Sequence, residues 1–216
     1  MLAFLHTAAG HVPTFERLVR EQDATLPTRH VVAEELLAAA TAAGRVDAAL
    51  AQRIAAAIDA LRADGARLIV CTCSTIGDAA EAVSRPTAPV LRIDRPMAEE
   101  AVRRGPRIAV VAALDTALAA TLALVRGAAA DAGRAVTVRA VACPEAWPLF
   151  TAGDMDGYLA AAAAAARAAA ADADVVVLGQ VSMAGAVERL ADLSTPVLAA
   201  ASTGVGAAIA RCRTLG

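Results

Sequence analysis

An α/β fold of two pseudo-symmetric parallel-sheet subdomains is what this 216-residue sequence predicts. Three observations carry that expectation. Short runs rich in Val, Ile and Leu alternate with longer alanine-rich stretches, the order of strand and crossover helix in a parallel sheet. Runs such as DVVVLG and RIAVVA are apolar without alternation, as strands covered on both faces must be. Finally, Leu68–Ile93 (LIVCTCSTIGDAAEAVSRPTAPVLRI) lies over Val175–Ala200 (VVVLGQVSMAGAVERLADLSTPVLAA) without a gap, at an offset of 107 residues that carries Cys73 onto Gln180.

Taken in order, the first half holds expected strands at Leu2–His6, Arg29–Val32, Arg67–Thr72 and Pro89–Ile93, each a β-branched or Leu-rich run. Helices fall near Pro13–Glu21, Val46–Ala63, Asp78–Ser84 and Met97–Arg103. The second half repeats the pattern, with strands at Arg107–Ala112, Val136–Val141, Asp174–Gly179 and Pro196–Ala199. Its helices fall near Asp115–Ala132, Asp154–Ala171, Ala184–Ala191 and Thr203–Arg211, carried by alanine, the strongest helix former. The two prolines of CPEAWPLF (Cys143–Phe150) mark a loop after the sixth strand, where Glu145 or Trp147 could meet a ligand or simply anchor the loop. Under the offset Glu81 meets Glu188, Pro89-Val90-Leu91 meets Pro196-Val197-Leu198, Leu2–Leu5 meets Ala109–Ala112, and Thr14 meets Thr121. The halves are therefore drawn at 1–106 and 107–216, with room for a segment of one to pack with the other. Parallel sheets take ligands beyond the carboxyl ends of their strands, so an active-site cleft is expected between the halves.

Composition narrows the function. Lys+Arg 20 against Asp+Glu 22 gives a net charge of −2, with no basic cluster, which argues against nucleic acid or an anionic membrane surface as partner. The hydrophobic share of 58% and mean hydropathy of +0.54 look membrane-like only because alanine dominates. The longest bland stretch, Leu159–Ala171, is interrupted by Arg167 and is too weakly apolar to span a bilayer. Met1–Thr7 has no basic leader, so no export is expected. With four cysteines in a chain this long a disulfide scaffold is excluded, and a cytoplasmic, reducing location follows. All cations are Arg and both Lys and Asn are absent, a coding bias rather than chemistry. The mixed charges of Arg95–Arg107 read as a solvated helix face. No cofactor or metal is expected. Gly204-Val205-Gly206 lacks the third glycine of a dinucleotide site, Cys71 and Cys73 lack a second ligand cluster, and Ser74 lacks the glycines of a nucleophile elbow.

Residues just after the two matched strands are the candidate site: Cys73-Ser74-Thr75 in one half and Gln180-Val181-Ser182 in the other. A thiol entering a helix N-terminus is placed to act as base or nucleophile, and the small hydroxyl residues with their N–H groups can hold a carboxylate. Thr7 and Thr116, each following the first strand of its half, are further candidate contacts. Cys71, inside a strand, reads as packing; His11 and His30 read as structural or solvated, His30 lying inside a strand run; Cys143 and Cys212 carry no functional expectation.

LIVCTCST resembles the strand-plus-Cys-Asn-Thr motif of the PLP-independent aspartate/glutamate racemase superfamily, which includes hydantoin racemases, maleate isomerases and arylmalonate decarboxylases. DVVVLGQ followed by STPVLAAAST resembles its second motif, strand-Gly-Cys and later Pro-Val-strand-Ser. The resemblance implies two cysteines flanking a substrate α-carbon, the first falling on Cys73, with Ser74 and Thr75 as the carboxylate-holding pair. Two departures stand out: Ser74 replaces the usual Asn, and Gln180 replaces the second Cys. An amide exchanges no proton near neutral pH, so symmetric two-thiol racemisation is not expected, and His6 becomes the best-placed alternative partner. The expectation is a cofactor-independent racemase- or isomerase-like enzyme acting at the α-carbon of a small carboxylate or amino acid through Cys73, with Ser182 binding substrate. Its alternatives are a decarboxylase or cis-trans isomerase using the same thiol, a silent carboxylate-binding or sensing protein, and a redox-sensing thiol. A homodimer is the family habit.

Overall fold

The computed structural model describes residues 1–215, and they form two compact α/β units. Unit 1 comprises Met1–Ile93 and the chain from Ala201 onward; unit 2 is the continuous segment Asp94–Ala200. Among the described residues no helix is long and apolar enough to cross a membrane.

Unit 1 contains β1 (Leu2–His6), α1 (His11–Gln22), β2 (Thr28–Val32), α2 (Glu34–Ala43), α3 (Ala48–Ala63), β3 (Leu68–Cys71), α4 (Ser74–Ala82) and β4 (Val90–Arg92). All four strands run parallel in the order β2-β1-β3-β4. The two central strands are buried from end to end, as their unbroken apolar runs require. On α3 the apolar stripe Leu50, Ile54, Ile58 and Leu61 faces the sheet at helical spacing. Its first turn is fixed by Asp47, whose carboxylate accepts from the Leu50 N–H at 2.8 Å.

Unit 2 contains α5 (Arg95–Arg104), β5 (Arg107–Ala112), α6 (Asp115–Asp131), β6 (Thr137–Ala142), α7 (Ala146–Thr151), α8 (Met155–Ala170), β7 (Val175–Leu178), a 3-10 segment (Val181–Leu190) and β8 (Val197–Ala199). Its parallel sheet has the order β6-β5-β7-β8, the topology of unit 1 over again. The buried face of α8 is Tyr158, Ala162, Ala166 and Ala169, so apart from one large residue only methyl groups separate helix from sheet. After α8, β7 and β8, the chain enters α9 (Ala200–Thr214).

Structure and sequence expectation differ at several points, each with a physical cause. The units part near residues 93 and 200 rather than at 106/107, because α5 packs on α6 and β7, whereas α9 returns to unit 1. There Arg213 pairs with Asp23 at 2.8 Å, and Gly204 lies so close to Ile93 that a Cβ would sit 2.2 Å from its carbonyl oxygen. The Gly204–Gly206 pair thus serves helix packing. Helix α2 was not expected, although Glu34 and Glu35 open it and Gly44, with φ +67°, closes it in the left-handed conformation. The Cys143–Phe150 stretch is not a loop throughout. Pro148 sits in the first turn of α7, where no N–H donor is needed, and Ala146 and Trp147 join the unit 2 core. Helix α4 starts at Ser74, four residues earlier than expected.

The repeat holds with one slip. Ile69 pairs with Val90 and Val176 with Val197, both at the 107 offset, but Leu2 lies opposite Leu68 while Ile108, not Ala109, lies opposite Val175. The first strands are therefore related by one residue fewer. Since side chains alternate with period two, this changes which face each residue takes, and Ala112 is the counterpart of His6.

Candidate active site

In unit 1 the chain leaves β3 at Cys71, passes Thr72 and reaches Cys73, extended (φ −105°, ψ 118°), as the residue preceding α4. Ser74 and Thr75 are the first helical residues. Cys73 is 9% exposed, and its two followers are similarly buried. The first N–H groups of a helix have no acceptor within it, so an anion at this corner meets both hydrogen-bond donors and the positive end of the helix dipole. Cys71 points into the core cluster and its Sγ donates to the Cys73 carbonyl at 3.6 Å.

Behind this turn stands Arg92, which sequence reasoning missed. It ends β4, is only 1% exposed, bonds the Asp78 carboxylate and donates from Nη2 to the Ser74 carbonyl at 3.4 Å. Gly77 makes room for it: a Cβ there would lie 2.7 Å from Arg92 Nε. A guanidinium packed against a glycine of the first turn braces the segment that carries Cys73, Ser74 and Thr75. The signal in the sequence was a charge within the apolar run PVLRI.

His6, the alternative acid–base partner, is fully buried at the end of β1, with both ring nitrogens engaged. The Thr72 hydroxyl spends its one proton on the Leu5 carbonyl at 3.2 Å, so it accepts from His6 Nδ1–H at 2.9 Å. His6 Nε2 therefore carries a lone pair and accepts from His30 Nδ1–H, also at 2.9 Å. The two imidazoles lie within 3° of coplanar, as an in-plane N–H···N bond requires. This chain of protons ends on a backbone carbonyl, which cannot pass one on. Burial, reinforced by His30 and His11 nearby, lowers the His6 pKa to about 3. Neutral and doubly hydrogen-bonded, His6 fastens three strands together; it presents neither nitrogen to a solute. Thr7, the next residue, is buried just past the strand end.

Gln180 occupies in unit 2 the place of Cys73 in unit 1. It follows the third paired strand by two residues, is extended (φ −131°, ψ 136°) and precedes a helical segment. Its Oε1 accepts from the N–H groups of Ala113 (2.6 Å) and Leu114 (3.2 Å). Two backbone donors fix which end of the amide is oxygen, so the –NH2 end points away from them with its donors. Leu114 precedes α6, and the half-buried Thr116 is the second residue of that helix, so Gln180 and Thr116 share a corner. Ser182, two residues beyond Gln180, is half-buried, with Oγ 2.7 Å from Tyr158 Oη. Trp147 and Phe150 stack at 5.0 Å in the unit 2 core, which accounts for the aromatic segment as an anchor. Burial pushes the Cys143 thiol up to about 11, with Glu145 adding to the effect, so this sulfur stays protonated. Among the described residues no three His, Cys, Asp or Glu side chains converge as metal ligands.

One four-stranded parallel-sheet topology occurring twice, with a cysteine and hydroxyl residues at one strand-to-helix turn and an amide at its counterpart, defines the class as Asp/Glu racemase-like enzymes. The sequence model of the Asp/Glu/hydantoin racemase family matches residues 5–208, and the chain belongs to that family. Among solved structures, the chain is similar to a glutamate racemase from Bacillus anthracis, with TM-score 0.74 and 14% identity over 100% of this chain and 82% of the other. An aspartate racemase from Picrophilus torridus has TM-score 0.72 and 13% identity, covering 99% and 94%. An allantoin racemase from Pseudomonas fluorescens has TM-score 0.56 and 22% identity, covering 99% and 92%. At these identities the likeness is one of fold. No curated protein sequence matches the chain.

Proposed function

We propose that this protein is a cofactor-independent enzyme acting at the α-carbon of a small carboxylate, with Cys73 as its single thiol acid–base group. The observation that carries this reading is the pair of equivalent positions in the repeated fold, one holding a thiol and the other an amide bound to its own backbone. The Cys73 thiolate takes the α-proton, and the electron pair moves into the adjacent carboxylate as an enolate-like charge. Ser74 and Thr75, with the N–H groups of the α4 first turn, stabilise that charge. The proton on Cys73 exchanges with solvent, so isotope exchange at the α-carbon is the expected signature of this racemase-like half-reaction, and inversion needs a second proton donor, which an amide is not. The same thiol could protonate the enolate left by loss of carbon dioxide, or add to an activated double bond to permit cis-trans rotation; one thiol serves each of these. Within unit 1, Thr7 supplies a further neutral hydrogen-bond group; within unit 2, Gln180, Thr116 and Ser182 offer theirs at the corresponding strand ends. Four buried thiols without a disulfide fit a reducing, cytoplasmic setting.

The test is α-proton exchange in heavy water, followed by NMR over a panel of amino, hydroxy and dicarboxylic acids. Exchange without inversion that disappears in Cys73→Ala supports the reading. Saturable binding with no exchange or product overturns it in favour of a carboxylate-binding protein.

A further inference from the structure

We infer that Tyr158 is a positioning residue that acts through Ser182, presenting the serine O–H as a donor to a carboxylate oxygen. This rests on the reading above that the substrate is a carboxylate. Tyr158 is the chain's only tyrosine and the one large residue on a helix face otherwise made of alanine. Its ring is fully buried against Phe150, at 5.1 Å between ring centres, within the unit 2 core. Packing alone would be served by Phe, and the hydroxyl has a single polar partner among the described residues, Ser182 Oγ at 2.7 Å.

That one contact fixes the direction of the bond. A buried O–H must place its proton on an acceptor, and the Ser182 oxygen is the acceptor within reach. Burial also raises the Tyr158 pKa far above its ordinary value, so the phenol holds its proton at any working pH. Tyr158 therefore donates and Ser182 accepts. Were the serine to donate instead, the phenol proton would be stranded in the core. With its oxygen occupied, Ser182 turns its own O–H to its half-exposed side. Accepting one bond polarises that O–H and strengthens the next bond it makes. Ser182 lies just past Gln180 at the carboxyl end of β7, where parallel sheets take ligands. A serine free to rotate would spend part of its time with its proton turned elsewhere; the phenol removes that freedom.

The test is a double-variant cycle of Tyr158→Phe and Ser182→Ala, read by calorimetric binding of malonate and by KM and kcat for any substrate that shows exchange. Tyr158→Phe keeps the ring and its packing. It is expected to weaken malonate binding and raise KM about three- to tenfold, leaving kcat within about twofold. Ser182→Ala should do at least as much, and the double variant no more than Ser182→Ala, because the tyrosine works through the serine. A Tyr158→Phe variant with a lowered melting temperature but unchanged malonate affinity overturns the inference, as does an effect undiminished in the Ser182→Ala background. Malonate binding requires no turnover, so the outcome is independent of Cys73. Failure of exchange in the wild type overturns the proposed chemistry, whereas equal or absent malonate binding overturns the role of Tyr158.

Discussion

Mild acid should loosen unit 1 through His6. The imidazole is neutral in the fold, with its pKa lowered from 6.5 to about 3 chiefly by burial. Once unfolded it regains the ordinary value, so between these limits the unfolded chain binds more protons and stability falls with falling pH. The stabilisation is complete above pH 6.5 and is lost as the pH drops toward 3. For one group with these two values, linkage removes about 2 kcal/mol between pH 7 and pH 5. With a urea m-value of about 2–3 kcal/mol/M, the midpoint should drop by about 0.7–1 M. The assay is urea denaturation at pH 7, 6 and 5, followed by far-UV circular dichroism. Fluorescence would mislead, because the only tryptophan, Trp147, belongs to unit 2. His6→Gln, which retains a donor and an acceptor but does not titrate, should have a lower midpoint at pH 7 and a flatter dependence on pH. His11 and His30, both also lowered by burial, contribute to the slope in each protein, so the difference between the proteins isolates His6. An equally steep dependence in the variant would refute the assignment of a neutral, buried His6.

Further perturbations test the packing of the two units. Gly204→Ala drives a Cβ into the Ile93 carbonyl, a backbone atom that cannot swing aside; a loss of about 2–3 kcal/mol is expected, and scanning calorimetry should show it as a lower melting temperature. Gly77→Ala should cost about 1–3 kcal/mol in denaturant titration by colliding with Arg92, and Arg92→Met should restore part of that loss in the double variant. Arg92→Met alone should cost about 1–3 kcal/mol, since it leaves the buried Ser74 carbonyl without this donor, whereas Asp78, 71% exposed in its side chain, is resolvated by water. Gln180→Ala removes the acceptor from the Ala113 and Leu114 amides. Their hydrogen exchange should accelerate, whereas Gln180→Glu, placing a carboxylate at the start of α6, should retain protection.

How much of this was legible in the sequence depended on whether a feature lives in local pattern or in side-chain packing. The strands β3, β4, β7 and β8 were visible because their apolar runs and the shared Pro-Val-Leu keep one offset. The slip between β1 and β5 was not, since ladder register leaves no mark on an unbroken run of buried residues. Helix α2 hid in an alanine-rich stretch with little periodicity, although its acidic start and Gly44 were there to read. Proline misled at α7 because its effect depends on whether it falls in the first turn or later. Cys73 could be named from its place at a strand end. The roles of His6, Arg92 and Gln180 could not, because each is decided by partners 15 to 67 positions away: Thr72 and His30 for the first, Gly77 for the second, Ala113 and Leu114 for the third.

The return of α9 to the first unit has a consequence for biosynthesis. Unit 2 is one uninterrupted stretch and can assemble as soon as it has cleared the ribosome. Unit 1, although begun first, must wait for the final helix to arrive and cover Ile93. A released chain ending near residue 200, short of α9, should therefore hold an ordered unit 2 and an incomplete unit 1.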